Sequence, residues 1–249
     1  MSKPANLDWL TARPIAHRGL HNVGTGIVEN TLGACAAAIE AGYAIECDLQ
    51  ISRDGEAMLF HDDTLDRVTE ARGPVNARTL AELKQIRFKH SAEQIPTLSE
   101  LVSLVDGRVP LVIELKPQWD GDQTLARRTA EVMAGYRGAY CLMSFDPGVI
   151  EAIRMLAPDT VRGMISDTAQ DSYYDQLPSP LRQELRTLGF LQRTRPHFLS
   201  LDHTVLPWAP ITALRQQGMP VITWTIRSKE EARRALRHCD QITFEGFAP

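Results

Sequence analysis

Two histidine motifs flank an acidic pair in the N-terminal part of the chain. The motifs are His17-Arg18-Gly19 and His61-Asp62-Asp63-Thr64-Leu65-Asp66-Arg67, and the acidic pair is Glu46-Cys47-Asp48. Histidine can transfer a proton near neutral pH, arginine binds phosphate oxygens in a fork, and carboxylates bind hard divalent cations. Together these residue types predict acid–base chemistry on a phosphate beside a metal ion.

A second charged pair, Glu114 and Lys116, closes a later apolar run. Residues two apart on a strand share a face, so these two side chains point the same way, as do those of Glu46 and Asp48. Carboxylates on adjacent strands suit an ion that prefers oxygen ligands, and zinc fits such a donor set less well. We therefore expect Glu46, Asp48 and Glu114 to bind one divalent metal ion, Mg²⁺ or Ca²⁺.

The two histidines and the two cations suggest how a phosphodiester could be cleaved. Arg18 can bind phosphate oxygens in a fork, and Lys116 adds a point charge. With His17 and His61 on opposite sides of the phosphorus, one would deprotonate the nucleophile while the other protonates the leaving oxygen. Each motif alone also has a structural interpretation, as a hydrogen-bonded histidine, a polar edge strand or a surface ion pair.

A turn between the acidic pair and the second histidine is predicted from the dipeptide Asp54-Gly55. Asp-Gly between two apolar runs is typical of a two-residue hairpin loop, because both central positions need positive φ. A chain that folds back at this dipeptide places Asp48 opposite His61. We therefore expect a metal ligand and a histidine side by side.

Short β-rich runs alternate with helical patterns along the chain, which favours parallel βα units. Eight runs are predicted as strands: Pro14–His17, Ala44–Gln50, Pro110–Leu115, Tyr140–Phe145, Val161–Ile165, His197–Asp202, Pro220–Ile226 and Gln241–Phe244. Ala57–His61 remains as the return arm of the hairpin. This pattern predicts an α/β fold of the TIM (β/α)₈ barrel type, in which the charged residues lie at strand ends, where barrel active sites are found.

The long segment 62–96 separates the second strand from the next barrel helix, and we expect it to form a small cap insertion within a single domain, 1–249. Helix starts are predicted at four capping residues, Asn30, Thr97, Asp146 and Ser228.

The bulk composition excludes several classes of protein. Lys+Arg at 27 against Asp+Glu at 31 leaves a net charge of −4, which gives no electrostatic reason to bind nucleic acid. Met1 to Arg13 lacks the pattern of a signal peptide, and no apolar run approaches the roughly 20 residues of a membrane anchor. The four cysteines form no Cys-x-x-Cys pair and suit buried thiols in a reducing compartment. We expect a cytoplasmic protein, with a homo-oligomer left open.

Seven motifs then occur in the order of a known family. They are His17-Arg18-Gly19, Glu29-Asn30-Thr31, Glu46-Cys47-Asp48, Ser52-Arg53-Asp54-Gly55, the run from His61 to Arg67, Ile95-Pro96-Thr97-Leu98 and Ile113-Glu114-Leu115-Lys116. The chain resembles the glycerophosphodiester phosphodiesterases, in particular the cytosolic bacterial type. The resemblance is dense over 14–117 and continues more weakly to Trp224-Thr225-Ile226.

The resemblance implies a metal-dependent barrel enzyme that hydrolyses glycerophosphodiesters, small molecules derived from phospholipid head groups, to sn-glycerol 3-phosphate and an alcohol. The implied catalytic residues are His17 and His61, and the implied metal ligands are Glu46, Asp48 and Glu114. Arg18 and Lys116 are the implied phosphate contacts, and Trp224 is a candidate to pack on the glycerol or the head group. The glycerol hydroxyl would attack phosphorus within the same molecule and give a cyclic phosphate, which water would then open.

Two departures from the family pattern concern single positions. Val28 stands where the family often has proline before Glu-Asn-Thr. The last strand reads Thr243-Phe244-Glu245-Gly246, where Thr-Asp near a proline is common, so Glu245 is a candidate for the acidic role.

Two other functions remain as alternatives. One is a lysophospholipase D-like phosphodiesterase, which would need an apolar groove and usually a membrane-binding patch or a secretion signal. The other is a non-catalytic barrel that binds a phosphorylated metabolite, which the loss of a histidine or a metal ligand would favour.

Overall fold

The structure, a computed structural model, describes residues 7–249. The first six residues, on which part of the signal-peptide expectation rests, lie outside the described residues. In chain order the strands are β1 (Ile15–Ala16), β2 (Ala44–Ile51), β3 (Ala57–Leu59), β4 (Arg87–Phe88), β5 (Ser91–Gln94), β6 (Leu111–Leu115), β7 (Tyr140–Ser144), β8 (Val161–Ser166), β9 (Phe198–Asp202), β10 (Val221–Ile226) and β11 (Gln241–Phe244). The α-helices are α1 (Asp8–Thr11), α2 (Leu32–Glu40), α3 (Leu80–Leu83), α4 (Leu98–Val105), α5 (Thr124–Met133), α6 (Pro147–Leu156), α7 (Ser179–Arg186), α8 (Leu191–Thr194), α9 (Ala209–Gln216) and α10 (Lys229–Ala235).

Eight strands of the described chain run parallel and close into a barrel. Strand β1 pairs with β2 on one side and with β11 on the other, which joins the two edges of the sheet. Around the barrel, β2 is followed by β6 and then by β7 to β11 in chain order. The predicted TIM (β/α)₈ barrel is therefore confirmed.

The inner face of the barrel changes from apolar to acidic along the strands. Ala44 of β2 and Val112 of β6 belong to a buried cluster with members from seven of the eight barrel strands. Glu46 and Asp48 follow Ala44 in two-residue steps, and Glu114 follows Val112, so they continue the same face. The three carboxylates therefore lie one layer further on, toward the carboxyl ends of the strands.

The hairpin after β2 has a different register from the one predicted. Strand β3 pairs antiparallel with β2, with Leu49 opposite Leu59, and the backbone N–H of Phe60 donates to the carbonyl of Asp48 at 3.0 Å. Phe60, and not His61, is therefore opposite Asp48. The loop has three residues, because the N–H of Gly55 bonds the carbonyl of Ser52, and of Asp54 and Gly55 only the glycine has positive φ, +86°. This arrangement is the common three-residue hairpin loop.

The N-cap of helix α2 lies one residue later than predicted. The hydroxyl of Thr31 accepts from the N–H of Ala34, so Thr31 is the N-cap. Asn30 has a positive φ of 55° and bonds elsewhere, so its assignment as a cap was wrong. The other predicted caps, Thr97, Asp146 and Ser228, each accept a backbone N–H at the start of their helices.

The segment between β3 and α4 folds as a small unit beside the barrel. It holds a 3₁₀ turn (Val75–Ala77), helix α3 and the two-stranded ribbon of β4 and β5. Its buried side chains form one cluster with Met58 and Phe60 of the hairpin, namely Leu65, Val75, Leu83, Phe88 and Ile95. The insertion is thus packed against the chain that leads to His61.

The structure matches the sequence prediction for the cysteines. All four cysteines are buried and free. Among residues 7–249, none of the helices combines the length and the apolar character needed to cross a bilayer.

Gly19 lets the loop after β1 approach helix α2. Its φ is +76°, and a Cβ built on it would lie 2.8 Å from the backbone carbonyl carbon of Ala34. Its N–H donates to the carbonyl of Glu46 at 3.1 Å, which holds His17 and Arg18 beside β2. Gly42 has nearly the same φ, +75°, but its Cβ would meet open space.

We expect Gly19→Ala to lower the free energy of unfolding by about 2–4 kcal/mol, because alanine is strained at positive φ and its Cβ would clash with Ala34. Gly42→Ala should lower it by only about 1–2 kcal/mol, because it carries the φ cost alone. Urea unfolding of both variants measures the difference. Equal losses would show that the close approach to α2 contributes nothing.

Candidate active site

A cavity of about 400 Å³ opens at the carboxyl ends of the barrel strands. Seven of the predicted site residues line it, namely His17, Arg18, Glu46, His61, Glu114, Lys116 and Trp224. The eighth, Asp48, lies within the wall and is 1% exposed. The structure therefore brings all the predicted residues together, although the hairpin register that was to join two of them is shifted.

The three carboxylates form a buried acidic group. Glu46, Asp48 and Glu114 each offer an oxygen, and these oxygens lie within 4.8 Å of one another. Burial raises the pKa of Glu46, and so do the charges of Asp48 and Glu114. Burial also raises the pKa of Glu114. An all-oxygen donor set with mutual repulsion fits a hard divalent cation such as Mg²⁺ or Ca²⁺.

Asp48 is the most strongly compensated of the three carboxylates. Burial opposes ionisation, but the charges of Lys116, His61 and Arg18 outweigh it and hold the pKa of Asp48 well below its usual value. Lys116 Nζ lies 3.3 Å from Asp48 and 2.8 Å from Glu114. Arg18 Nε lies 3.5 Å from Asp48. Arg18 and Lys116, which both line the cavity, therefore also stabilise the acidic group.

Asn30 orients Asp48, a role that the sequence interpretation missed. Its Nδ2 donates to Asp48 Oδ2 at 2.8 Å, and its Oδ1 accepts from the backbone N–H of Asp48 at 3.1 Å. Both ends of the amide are thus used on one residue. The sequence did hold a signal for this role, because asparagine is among the few residues that adopt positive φ. Asn30 was interpreted as a helix cap instead.

His17 is held by a carboxylate that directly follows the last strand, β11. Its Nδ1 lies 2.6 Å from Glu245 Oε2, and this hydrogen bond, together with His21 Nε2 at 3.6 Å, keeps the pKa of Glu245 far below its usual value. An ionised carboxylate can only accept, so Nδ1 of His17 carries the proton and Nε2 is left as the acceptor. Burial lowers the pKa of His17, and the bond to Glu245 opposes that shift.

Arg227 fixes the other end of Glu245. Its Nε and Nη2 each lie 2.8 Å from Glu245 Oε1, opposite the oxygen that bonds His17. The atypical end of the last strand made Glu245 a candidate for the acidic role there, and Glu245 contacts His17 directly.

His61 is held in the same way from the insertion side. Its Nδ1 lies 2.7 Å from Asp62 Oδ1, and Arg67 donates to both oxygens of Asp62. Arg67 also donates to Glu29, which in turn accepts from Arg18 at 2.7 Å. A continuous series of ion pairs therefore joins the two histidine motifs, and both imidazoles have Nδ1 tied to a carboxylate.

A second cavity of about 410 Å³ adjoins the first. Both cavities are lined by His61, Glu114, Lys116, Phe145 and Trp224. Trp224 meets Phe145 edge to face at a centroid distance of 5.6 Å. Tyr173 and Tyr174 line the second cavity only, and Asp202 and His203 line the first only. The shared wall is thus where the predicted histidine, metal and phosphate groups meet.

Known structures with the same fold cover almost the whole chain. An Oleispira antarctica phosphodiesterase, solved with the product sn-glycerol-3-phosphate, superposes with a TM-score of 0.78 at 24% identity, covering 95% of this chain and 94% of its own. The Thermotoga maritima glycerophosphodiester phosphodiesterase superposes with a TM-score of 0.69 at 23% identity, over 92% of each chain. At these identities the likeness concerns the fold.

Sequence relatives extend the comparison. A glycerophosphodiester phosphodiesterase of Caldanaerobacter subterraneus is 28% identical over 235 residues, covering 90% of this chain and 89% of its own. That of Bacillus altitudinis is 35% identical over 108 residues, covering 41% of this chain and 43% of its own. The model of the glycerophosphoryl diester phosphodiesterase family matches residues 17–239, which contain both histidine motifs and all three carboxylates. The chain belongs to the glycerophosphoryl diester phosphodiesterase family.

Proposed function

We propose that this protein hydrolyses glycerophosphodiesters to sn-glycerol 3-phosphate and an alcohol, in the cytoplasm and with a divalent cation. The observation that carries the proposal is the pair of histidines, each with Nδ1 tied to a carboxylate, on one cavity wall with Arg18, Lys116 and the three acidic residues. The sn-glycerol-3-phosphate bound in the Oleispira antarctica relative supports the choice of product. Four buried free thiols suit a reducing compartment.

Glu46, Asp48 and Glu114 would hold the cation. Bound there, Mg²⁺ or Ca²⁺ would polarise a phosphoryl oxygen and lower the pKa of the attacking hydroxyl. Arg18 and Lys116 would bind the remaining phosphate oxygens, because both line the cavity and are fixed by ion pairs. Charges fixed before the substrate arrives need no reorganisation during the reaction.

His17 would act first as the base. Its Nε2 is the free acceptor, since Nδ1 is bonded to Glu245. The glycerol hydroxyl beside the phosphodiester would give its proton to this nitrogen and attack phosphorus within the same molecule, at little entropic cost. His61 would protonate the departing alcohol. Water would then open the cyclic phosphate with the two roles reversed.

The insertion and the barrel would form a single domain, and the insertion would serve the reaction by fixing His61. Arg67 belongs to the insertion, and it bonds both Asp62, which holds His61, and Glu29, which holds Arg18. Trp224 lines both cavities and would pack against the substrate on either side of the phosphate.

The decisive test of the function is an assay with glycerophosphocholine and Mg²⁺ or Ca²⁺. We expect release of glycerol 3-phosphate that EDTA abolishes and added cation restores. The same cations should raise the melting temperature of the wild type but not of Asp48→Asn, since binding to the folded state stabilises it. No glycerol 3-phosphate from any head group would refute the function, and choline release with a cyclic product alone would favour the lysophospholipase D-like alternative.

We expect His17→Ala and His61→Ala each to lower kcat by at least about 100-fold, the contribution of a positioned acid or base. His90→Ala is the matched control, because His90 is exposed and lies outside both cavities. Circular dichroism and unfolding midpoints report whether each variant is folded. A folded variant with wild-type turnover would remove that histidine from the mechanism.

Glu245→Gln should lower kcat by about 10- to 100-fold with little change in KM, because a neutral amide stabilises the protonated His17 less well. Glu245→Asp should recover part of the loss, since the charge returns. Glu230→Gln, which alters an exposed helical ion pair with Arg234, is the control. A rise in KM with kcat unchanged would show that Glu245 contributes to substrate binding and not to the state of His17.

A further inference from the structure

The two cavities divide the residues around the proposed reaction centre unequally. His17 lines only the first cavity, whereas His61 lines both. On the proposed function, on which this inference rests, His17 takes the proton of the glycerol hydroxyl and His61 gives a proton to the departing alcohol. The glycerol side of the diester therefore belongs in the first cavity, and the alcohol side belongs in the second.

The second cavity carries negative charge that the protein does not offset. Asp63, Asp167 and Asp171 line it, and they accept hydrogen bonds from neutral groups. Asp63 accepts from the amide of Gln50 at 3.0 Å, and Asp171 accepts from a backbone N–H at 2.9 Å. Asp167 accepts from a backbone N–H at 2.6 Å and from the hydroxyl of Tyr174 at 2.9 Å.

The other charged groups in this lining are already paired. Lys116 contacts Glu114 and Asp48, so it belongs to the acidic group. Asp62 is bonded by His61 and Arg67. The three aspartates are therefore the groups that give the second cavity its net charge, which attracts a cation and repels an anion.

Aromatic rings complete the lining. Phe145 and Trp224 line both cavities, and Tyr173, with 46% of its surface exposed, lines the second only. The hydroxyl of Tyr173 accepts from Trp119 Nε1 at 3.0 Å, which fixes the ring. Aromatic rings beside carboxylates are the usual surroundings of a bound ammonium group.

We propose that the second cavity binds the departing alcohol and selects an alcohol that carries an ammonium group over neutral or anionic alcohols of similar size. Selection arises where the alcohol side of the diester meets Asp63, Asp167 and Asp171. These three aspartates are distinct from the acid–base groups and from the carboxylates at the metal site.

The test compares glycerophosphocholine with a neutral isostere. In the isostere, glycerol phosphate is esterified with 3,3-dimethylbutan-1-ol, so that carbon replaces the ammonium nitrogen of choline. For the wild type we expect kcat/KM to favour the charged substrate by about tenfold or more at low salt, and the ratio to shrink as salt screens the aspartates. Asp171→Asn should reduce the ratio several-fold while keeping the backbone cap, because asparagine also accepts at that position. Asp171 caps the 3₁₀ turn Ser172–Gln176, and Asp175→Asn, on that turn but outside the cavity, should leave the ratio unchanged.

The outcomes separate this inference from the proposed function. Cleavage of both diesters at the same rate, or a ratio that Asp171→Asn does not change, would overturn the inference and leave the function standing. If neither diester is cleaved, the function fails, and NMR titration with choline and with 3,3-dimethylbutan-1-ol decides the inference separately. Choline binding that is weakened by Asp171→Asn supports it, and equal or absent binding of the two alcohols overturns it.

Discussion

Three carboxylates buried within 4.8 Å of one another are the constraint on which the rest of this site depends. Like charges in a low-dielectric interior repel strongly, so the fold must supply compensation around them. Arg18 and Lys116 provide positive charge, Asn30 provides an amide clamp, and a divalent cation would supply the remainder. The groups that would bind phosphate are thus also the groups that make the acidic residues tolerable in the barrel.

Packing and ion pairs link the insertion to the barrel. His61 follows the hairpin directly after Phe60, and Phe60 belongs to the buried cluster of the insertion. The ion pairs from Asp62 through Arg67 and Glu29 to Arg18 tie this region to the loop after β1. A histidine outside the barrel strands is thereby bonded to a carboxylate, as His17 is bonded to Glu245, the residue after β11.

The sequence predicted the barrel and the site residues because periodicity and motif order are local signals. It failed where the outcome depends on conformation or on distant contacts. Asp54-Gly55 permits two hairpin loops that differ by one residue, and the structure has the three-residue form. Asn30 is an equally good cap or clamp until Asp48 is placed beside it. The partner of His17 lies 228 residues away at Glu245, so only the closure of the barrel brings the two together.

The division of the mouth into two cavities has a consequence for how this family can diversify. Asp63 lies in the insertion, and Asp167 and Asp171 lie in the loop after β8, whereas the carboxylates of the acidic group lie on barrel strands. Loops tolerate substitution better than the strands that they connect. If the second cavity binds the head group as proposed, a few loop substitutions would exchange one head group for another and leave the acidic group on the strands unchanged.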